Sequence, residues 1–267
     1  MLGPNGAGKT SLIRIINQIT KPDHGEVLFR GQKLSPEHIG QIGYLPEERG
    51  LYKKMKVGEQ ALYLAQLKGL SEKDAKKELI QWFERFDITP WWNKKVEELS
   101  KGMAQKIQFI TTVLHQPKLL IFDEPFSGFD PINANIIKDE ILRLKENGTS
   151  IIFSTHRMES VEELCDHIAL IDKSKKILDG PIQEIKEQYK EQIYKADFCT
   201  ENLNFLKELP THLKLLNTGA SKAEIQILDN SRAADLMRFL LDRTDISRFE
   251  EKIPTVNEIF IRTVQAN

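Results

Sequence analysis

At 267 residues, 40% hydrophobic and 29% charged, the chain has room for one large domain or two modest ones, each able to bury a core. Lys and Arg number 38 against 39 Asp and Glu, a formal charge of −1 that offers no excess positive field for a nucleic-acid backbone and argues against nucleic acid as a partner. Cys165 and Cys199 lie far apart without metal-ligand spacing, which argues against a disulfide framework or a zinc site. No apolar run approaches the roughly 18 residues of a membrane span, and the N-terminus lacks the features of a signal peptide.

The chain opens on GPNGAGKT, residues 3 to 10, which fits G-x-x-x-x-G-K-[ST]. In such a loop, backbone N–H groups converge on phosphate oxygens and the following helix adds its positive N-terminus. Lys9 adds a full charge near the β- and γ-phosphates, and the Thr10 hydroxyl is a ligand for Mg²⁺. The run SLIRIINQI supplies the expected helix. A phosphate loop should follow a buried strand, yet only Met1 and Leu2 precede this one. The expectation is either a chain that starts downstream of its natural beginning or a fold that tolerates a missing central strand.

KPDHG is turn chemistry, EVLFRGQ (26 to 32) reads as a strand, and QIGYL (41 to 45) as a short strand followed by the loop PEERGLY. Residues 57 to 98 read as a helical insertion. Ala61, Leu62, Ala65 and Leu67 recur at helical spacing, and Ser71 with Asp74 opens a capped second helix carrying Leu79, Trp82, Phe83 and Phe86. A third helix starts at Ser100 with Met103, Ile107, Ile110 and Leu114 on one face.

KLLIFDEP (118 to 125) is a continuous apolar run closed by two acids, the pattern of a buried parallel strand whose carboxyl end meets a ligand. A helix from about 131 to 146 stops at Asn147-Gly148, and SIIFSTH (150 to 156) repeats the buried-strand pattern. The alternation implies a parallel α/β core. HIALID and KKILDG, separated by Lys173-Ser174, read as an edge hairpin. Past Tyr189 the periodicities give a βαββαβ order, a small ferredoxin-like α+β module over 189–267.

The adjacency of Asp123 and Glu124 has a chemical use. A strand alternates its side chains, so one carboxylate can reach a Mg²⁺ shell while its neighbour, past the strand end, turns toward an attacking water. A solvated acid pair is the bland alternative.

Five motifs in order carry a specific resemblance: GPNGAGKT, LSKGM at 99 to 103, LLIFDEP at 119 to 125, SGFD at 127 to 130, and Thr155-His156 after a strand. Together they resemble the ATP-binding cassette of ABC transporters over about residues 1 to 188, with a helical subdomain near 52–116. The implied fold is a P-loop NTPase cassette with a parallel sheet core and helical subdomain, plus the C-terminal α+β module. The implied activity is hydrolysis of ATP with Mg²⁺.

Carried over residue by residue, the resemblance implies that Gly3, Pro4, Asn5, Gly6, Ala7, Gly8, Lys9, Thr10 and Ser11 bind the phosphates and that Thr10 and Asp123 support Mg²⁺. Glu124 matches the general base and His156 the switch histidine at the γ-phosphate. Ser100 and Gly102 match the signature loop that reaches the nucleotide of a second cassette, and Asp130 matches a nucleotide-site aspartate of the loop after Glu124. Two positions depart from the pattern: Lys101 and Met103 stand in the LSGGQ-type signature, and Glu47 stands where most of the family has glutamine. A carboxylate there keeps an oxygen for metal and water and adds charge.

PEERGLYKKM and the C-terminal PTVNEIFIRTV resemble ATP-binding subunits of ABC-2-type exporters, including sodium- and drug-efflux systems. That resemblance implies a peripheral subunit at the cytoplasmic face of the membrane, working as a pair of cassettes, in the simplest case a homodimer, with an integral membrane permease. Trp91 and Trp92 face that partner or, as aromatic pairs more often do, fill core. The competing expectations are a soluble ABC ATPase acting on ribosomes or DNA, and an inactive remnant. In the family, a strand and an adenine-stacking aromatic lie upstream of the phosphate loop, so weak ATP binding or poor folding is expected of the polypeptide as written.

Overall fold

The computed structural model describes residues 1–48, 50–127, 129–156, 158–229 and 231–265. Arg49 of the PEERGLY loop and Gly128 of SGFD lie outside the described residues. The chain divides into two units, Met1–Asp179 and Gly180–Asn267.

In the first unit, helix α1 (Lys9–Ile16) follows the phosphate loop directly. EVLFRGQ does not make one strand. It folds into a minimal hairpin of β1 (Leu28–Phe29) and β2 (Gln32–Lys33) about Arg30 and Gly31, both at positive φ, the geometry of a tight primed turn. A parallel sheet follows from β3 (Ile42–Leu45), β4 (Leu119–Asp123) and β5 (Ser150–Ser154), with β4 central. Strands β6 (His167–Asp172) and β7 (Lys175–Pro181) form the expected hairpin, and Lys173 and Ser174 take the two positive φ values of its turn. Leu2 makes a parallel bridge to Leu170, giving and receiving 2.8 Å backbone bonds with β6, while the Met1 amino group donates to Phe153 O of β5.

The helical layer consists of α2 (Val57–Leu67), α3 (Glu72–Arg85) and α4 (Lys101–Val113). Ser71 caps α3 by accepting from Asp74 N at 3.1 Å, as its capping pattern requires. Trp82, Phe109, Phe122 and Phe153 form a continuous aromatic chain with centroid separations of 6.2, 5.8 and 6.5 Å, tying this layer to the sheet. Trp92 packs on Phe83 at 5.3 Å and closes over Gly58, so the tryptophan pair serves the core of the helical layer.

Strand alternation on β4 sorts the two faces. Leu120 and Phe122 point to the helical layer, whereas Ile121 packs against Ile13 of α1. Asp123, two residues after Ile121, therefore faces α1 one helical turn before Ile13, where Thr10 stands. The unit continues with α5 (Pro131–Glu146), capped by Asp130 and ended at Asn147 with Gly148 at φ 85°, and with α6 (Met158–Leu164).

In the second unit, α7 (Ile182–Gln188) precedes β8 (Ile193–Phe198), a 3-10 turn at Asn204–Glu208, β9 (Leu213–Thr218), β10 (Lys222–Ile227), α8 (Ala233–Leu241), β11 (Ile246–Glu251) and α9 (Val256–Gln265). The antiparallel sheet order β11-β8-β10-β9 gives the ferredoxin-like arrangement. The unit begins earlier than residue 189 because α7 packs with α9, a contact reinforced by the hydroxyls of Tyr189 and Thr263 at 3.1 Å. One sheet face packs Ala196, Phe198, Ile225 and Ile227 with Leu236 and Leu240 of α8. The alternate positions place Lys195 between Glu224 and Glu250, and Asp197 between Lys222 and Arg248, a face of opposite-charge neighbours.

Candidate active site

The phosphate loop is shaped by glycine where no other residue fits. A Cβ on Gly3 would lie 2.2 Å from the Ile171 carbonyl oxygen of β6, and Gly8 holds φ 102° at the entry to α1. Lys9 is 9% exposed, and its ammonium crosses back over the loop to the carbonyls of Gly3 and Pro4 at 2.8 and 3.0 Å. The N-caps of α3, α4 and α5 each accept a backbone N–H through a side chain, but Gly8 supplies none to α1. The first N–H groups of α1 are thus left for an anion, and the helix dipole adds to the attraction.

Across the pocket, Thr10 Oγ1 donates to Asp123 Oδ2 at 3.4 Å. Asp123 is 3% exposed, and burial raises its carboxyl above the usual range; the neighbouring Glu124 carboxylate adds to the rise, against the pull of Thr10 and Lys9. Such a buried acid beside a hydroxyl fits a hard cation better than it fits solitude. Among the described residues no cluster of three or more His, Cys, Asp or Glu forms a dedicated metal cage. Mg²⁺ carried by a nucleotide needs none, because one or two carboxylates and phosphate oxygens suffice.

Glu124 leaves the strand direction. Its φ of 49° is left-handed, a conformation that costs a non-glycine residue about 1 to 3 kcal/mol unless its surroundings hold it. Here Glu124 N donates to Ser154 O at 2.9 Å. Its carboxylate accepts from His156 N at 2.9 Å, from His156 Nδ1 at 2.7 Å and from Thr155 Oγ1 at 3.2 Å. The end of β5 therefore fixes the acid at the end of β4.

A pocket of about 380 Å³ is lined by Asn5 to Ser11, Glu47, Asp123, Glu124 and His156. Gly3 and Pro4 lie behind it as acceptors of Lys9. Ser100, Gly102 and Asp130 do not line it. Ser100 Oγ caps α4 by accepting from Met103 N at 3.3 Å, and nothing crowds the Cα of Gly102. Asp130 caps α5 through Ile132 N and Asn133 N at 3.1 and 3.0 Å, and the hydrogen bonds from Asn133 hold its carboxyl below the usual range.

The family described as ABC transporter matches residues 1–127, and the ATP-binding protein DrrA1-3-like C-terminal domain matches residues 180–264. A family described as AAA domain, putative AbiEii toxin, Type IV TA system, matches residues 95–162. The uncharacterized ABC transporter ATP-binding protein YhaQ of Bacillus subtilis is 44% identical over all of this chain and 89% of its own length. The chain belongs to the ABC transporter ATP-binding proteins. NatA, another ABC transporter ATP-binding protein of Bacillus subtilis, is 34% identical over 77% of this chain and 82% of its own. A solved ATP-binding subunit of an ABC transporter superposes with a TM-score of 0.65 at 30% identity, covering 70% of this chain and 80% of that one.

As an ABC ATP-binding protein, the chain binds and hydrolyses ATP. No helix among the described residues is long and apolar enough to cross a membrane. Three further residues shape this pocket and its rim without belonging to any of the five motifs as a site residue. Thr155 appeared only beside His156, yet it holds Glu124. Gln108 and Gln60 passed unnoticed; their signal was a polar carboxamide inside an otherwise apolar helix face, both being buried.

Proposed function

We propose that this ABC ATP-binding protein powers an exporter by hydrolysing ATP·Mg²⁺ at a site completed by a second copy of the chain. The observation that carries this reading is the division of the site residues. The phosphate loop, Glu47, Asp123, Glu124 and His156 share one pocket, while Ser100 and Gly102 do not line it. Ser100 uses an oxygen lone pair on its own helix and keeps its O–H to donate, and the N-terminus of α4 favours an anion. A head-to-tail pair brings these groups to the partner's nucleotide, with Asp130 near the seam.

In the proposed cycle, Lys9 exchanges the Gly3 and Pro4 carbonyls for phosphate oxygens, and the free N–H groups of α1 hold the rest of the phosphate chain. Thr10, Asp123 and Glu47 are the residues that would hold Mg²⁺, which when bound offsets charge on the phosphates. Glu124 orients the attacking water and accepts its proton, and His156 keeps the carboxylate aimed while reaching the γ-phosphate from the pocket wall. Reopening of the pair moves an integral membrane permease, so the chain acts peripherally, at the cytoplasmic face. The DrrA1-3-like C-terminal match supports the exporter branch. Whether the cargo is Na⁺ or a drug is decided by the permease.

Sedimentation of the Glu124→Gln variant with ATP and Mg²⁺ tests the pairing. The reading expects a doubling of mass that Ser100→Arg prevents. A monomer under all conditions overturns it.

A further inference from the structure

The loop after β3, which carries Glu47, is held from the helical layer by two buried carboxamides. Gln108 of α4 is 7% exposed, and its Nε2 donates to the carbonyls of Pro46 and Glu48 at 3.4 and 3.3 Å. Those two residues flank Glu47. Gln60 of α2, fully buried, accepts from Tyr52 N at 3.1 Å and so holds the far end of the same loop. Ile107 and Phe109 are fully buried on either side of Gln108, and the hydroxyls of Thr111 and Thr112 occupy its own carbonyl at 3.0 and 2.8 Å. The helix turn is thereby fixed, and the Gln108 carboxamide serves the loop. Glu47 itself is exposed at the pocket rim and has no other restraint of this kind among the described contacts.

We propose that Gln108 is the positioning residue for Glu47. A long, flexible acid at a rim holds a cation well only if its backbone is placed, because each free rotor costs ordering entropy on binding. Gln108 supplies that placement by gripping the carbonyls before and after the acid. The same helix is capped by Ser100, about 12 Å from Gln108 at 1.5 Å per residue, so a displacement of α4 at its N-terminus reaches Glu47 through one rigid element. The proposal rests on the reading of Glu47 as a Mg²⁺ ligand given above.

The test uses the full chain, a non-hydrolysable ATP analogue, and Mn²⁺ as the probe, titrated by electron paramagnetic resonance. Gln108→Met and Gln108→Glu keep the side-chain size and remove the N–H donors. Both should weaken Mn²⁺ by roughly 10-fold, at the low end of the effect of groups that orient metal ligands. Affinity for the nucleotide without metal should not change, and Glu47→Ala should weaken Mn²⁺ to the same degree. Adding either Gln108 change to Glu47→Ala should then cost nothing further, since the two act as one unit. Loss in Glu47→Ala with normal Mn²⁺ affinity in both Gln108 variants overturns the inference and leaves the Glu47 reading intact. Additive losses overturn it as well, because Gln108 then acts elsewhere. Normal affinity in Glu47→Ala removes the metal role of Glu47, and the inference falls with it. Melting temperatures identify any variant that loses Mn²⁺ through unfolding.

Discussion

Glu124 and His156 are joined twice: the backbone N–H of His156 donates to Glu124 Oε1 at 2.9 Å, and its Nδ1 lies 2.7 Å from the same oxygen. The acid is nearly enclosed, with 12% of its side chain exposed, while the histidine ring is 65% exposed. One face of the pair is therefore structural and the other is open to the pocket.

This pairing predicts unequal effects at the two positions. Replacing His156 with Ala leaves Glu124 held by His156 N and by Thr155 Oγ1, so the acid keeps its place. The variant should lose roughly 10- to 100-fold in kcat with little change in KM. Combined with Glu124→Gln, it should add little, because the residues act as a unit. Steady-state phosphate release from the two single variants and the double variant checks this.

Asp123 links stability to function with opposite signs. Burial raises its carboxyl in the folded state, so its contribution to stability is full below the ordinary value of 3.8 and is lost as pH rises through the folded value. Once ionised above that value, the buried acid is a net cost in the nucleotide-free protein, because burial and the Glu124 carboxylate outweigh the pull of the Lys9 ammonium and the Thr10 hydroxyl. Asp123→Asn should accordingly melt higher than the parent without ligand, yet gain less from ATP with Mg²⁺. Differential scanning calorimetry with and without the ligands reads both effects.

His115, at the end of α4, is pushed down to about 4 by burial and by the Lys68 ammonium, which is itself bound to the carbonyls of Ile39 and Ile42 at 3.2 and 2.9 Å. Between pH 6.5 and 4 the unfolded chain takes up a proton that the native histidine refuses, so stability falls as pH falls through that window. The loss amounts to at most about 3 kcal/mol. His115→Phe should flatten this part of the stability curve, measured by urea unfolding at several pH values.

Much of this architecture was legible in the residues. The apolar run before Asp123 became the central strand, and the Ser71, Ser100 and Asp130 positions became helix caps, because continuous burial and capping are local properties. EVLFRGQ misled because Val27, Leu28 and Phe29 look like a strand, whereas Arg30 and Gly31 both turn to positive φ. The grip of Gln108 on the Glu47 loop was illegible for a different reason. It joins residues 60 and 62 apart, and a buried glutamine reveals its partner only when the helix is packed. Glu124 likewise needed β5 beside β4 before its left-handed turn had a purpose.

In the proposed ATPase site Glu124, pinned by Thr155 and His156, is the base, and the phosphate loop that lines the same pocket binds the nucleotide. Single-turnover hydrolysis by Glu124→Gln, measured beside nucleotide binding on the same preparation, tests it most directly. A loss of roughly 10²- to 10⁴-fold in rate is expected, with ATP affinity within about 3-fold of the parent. Hydrolysis at the parental rate would contradict it.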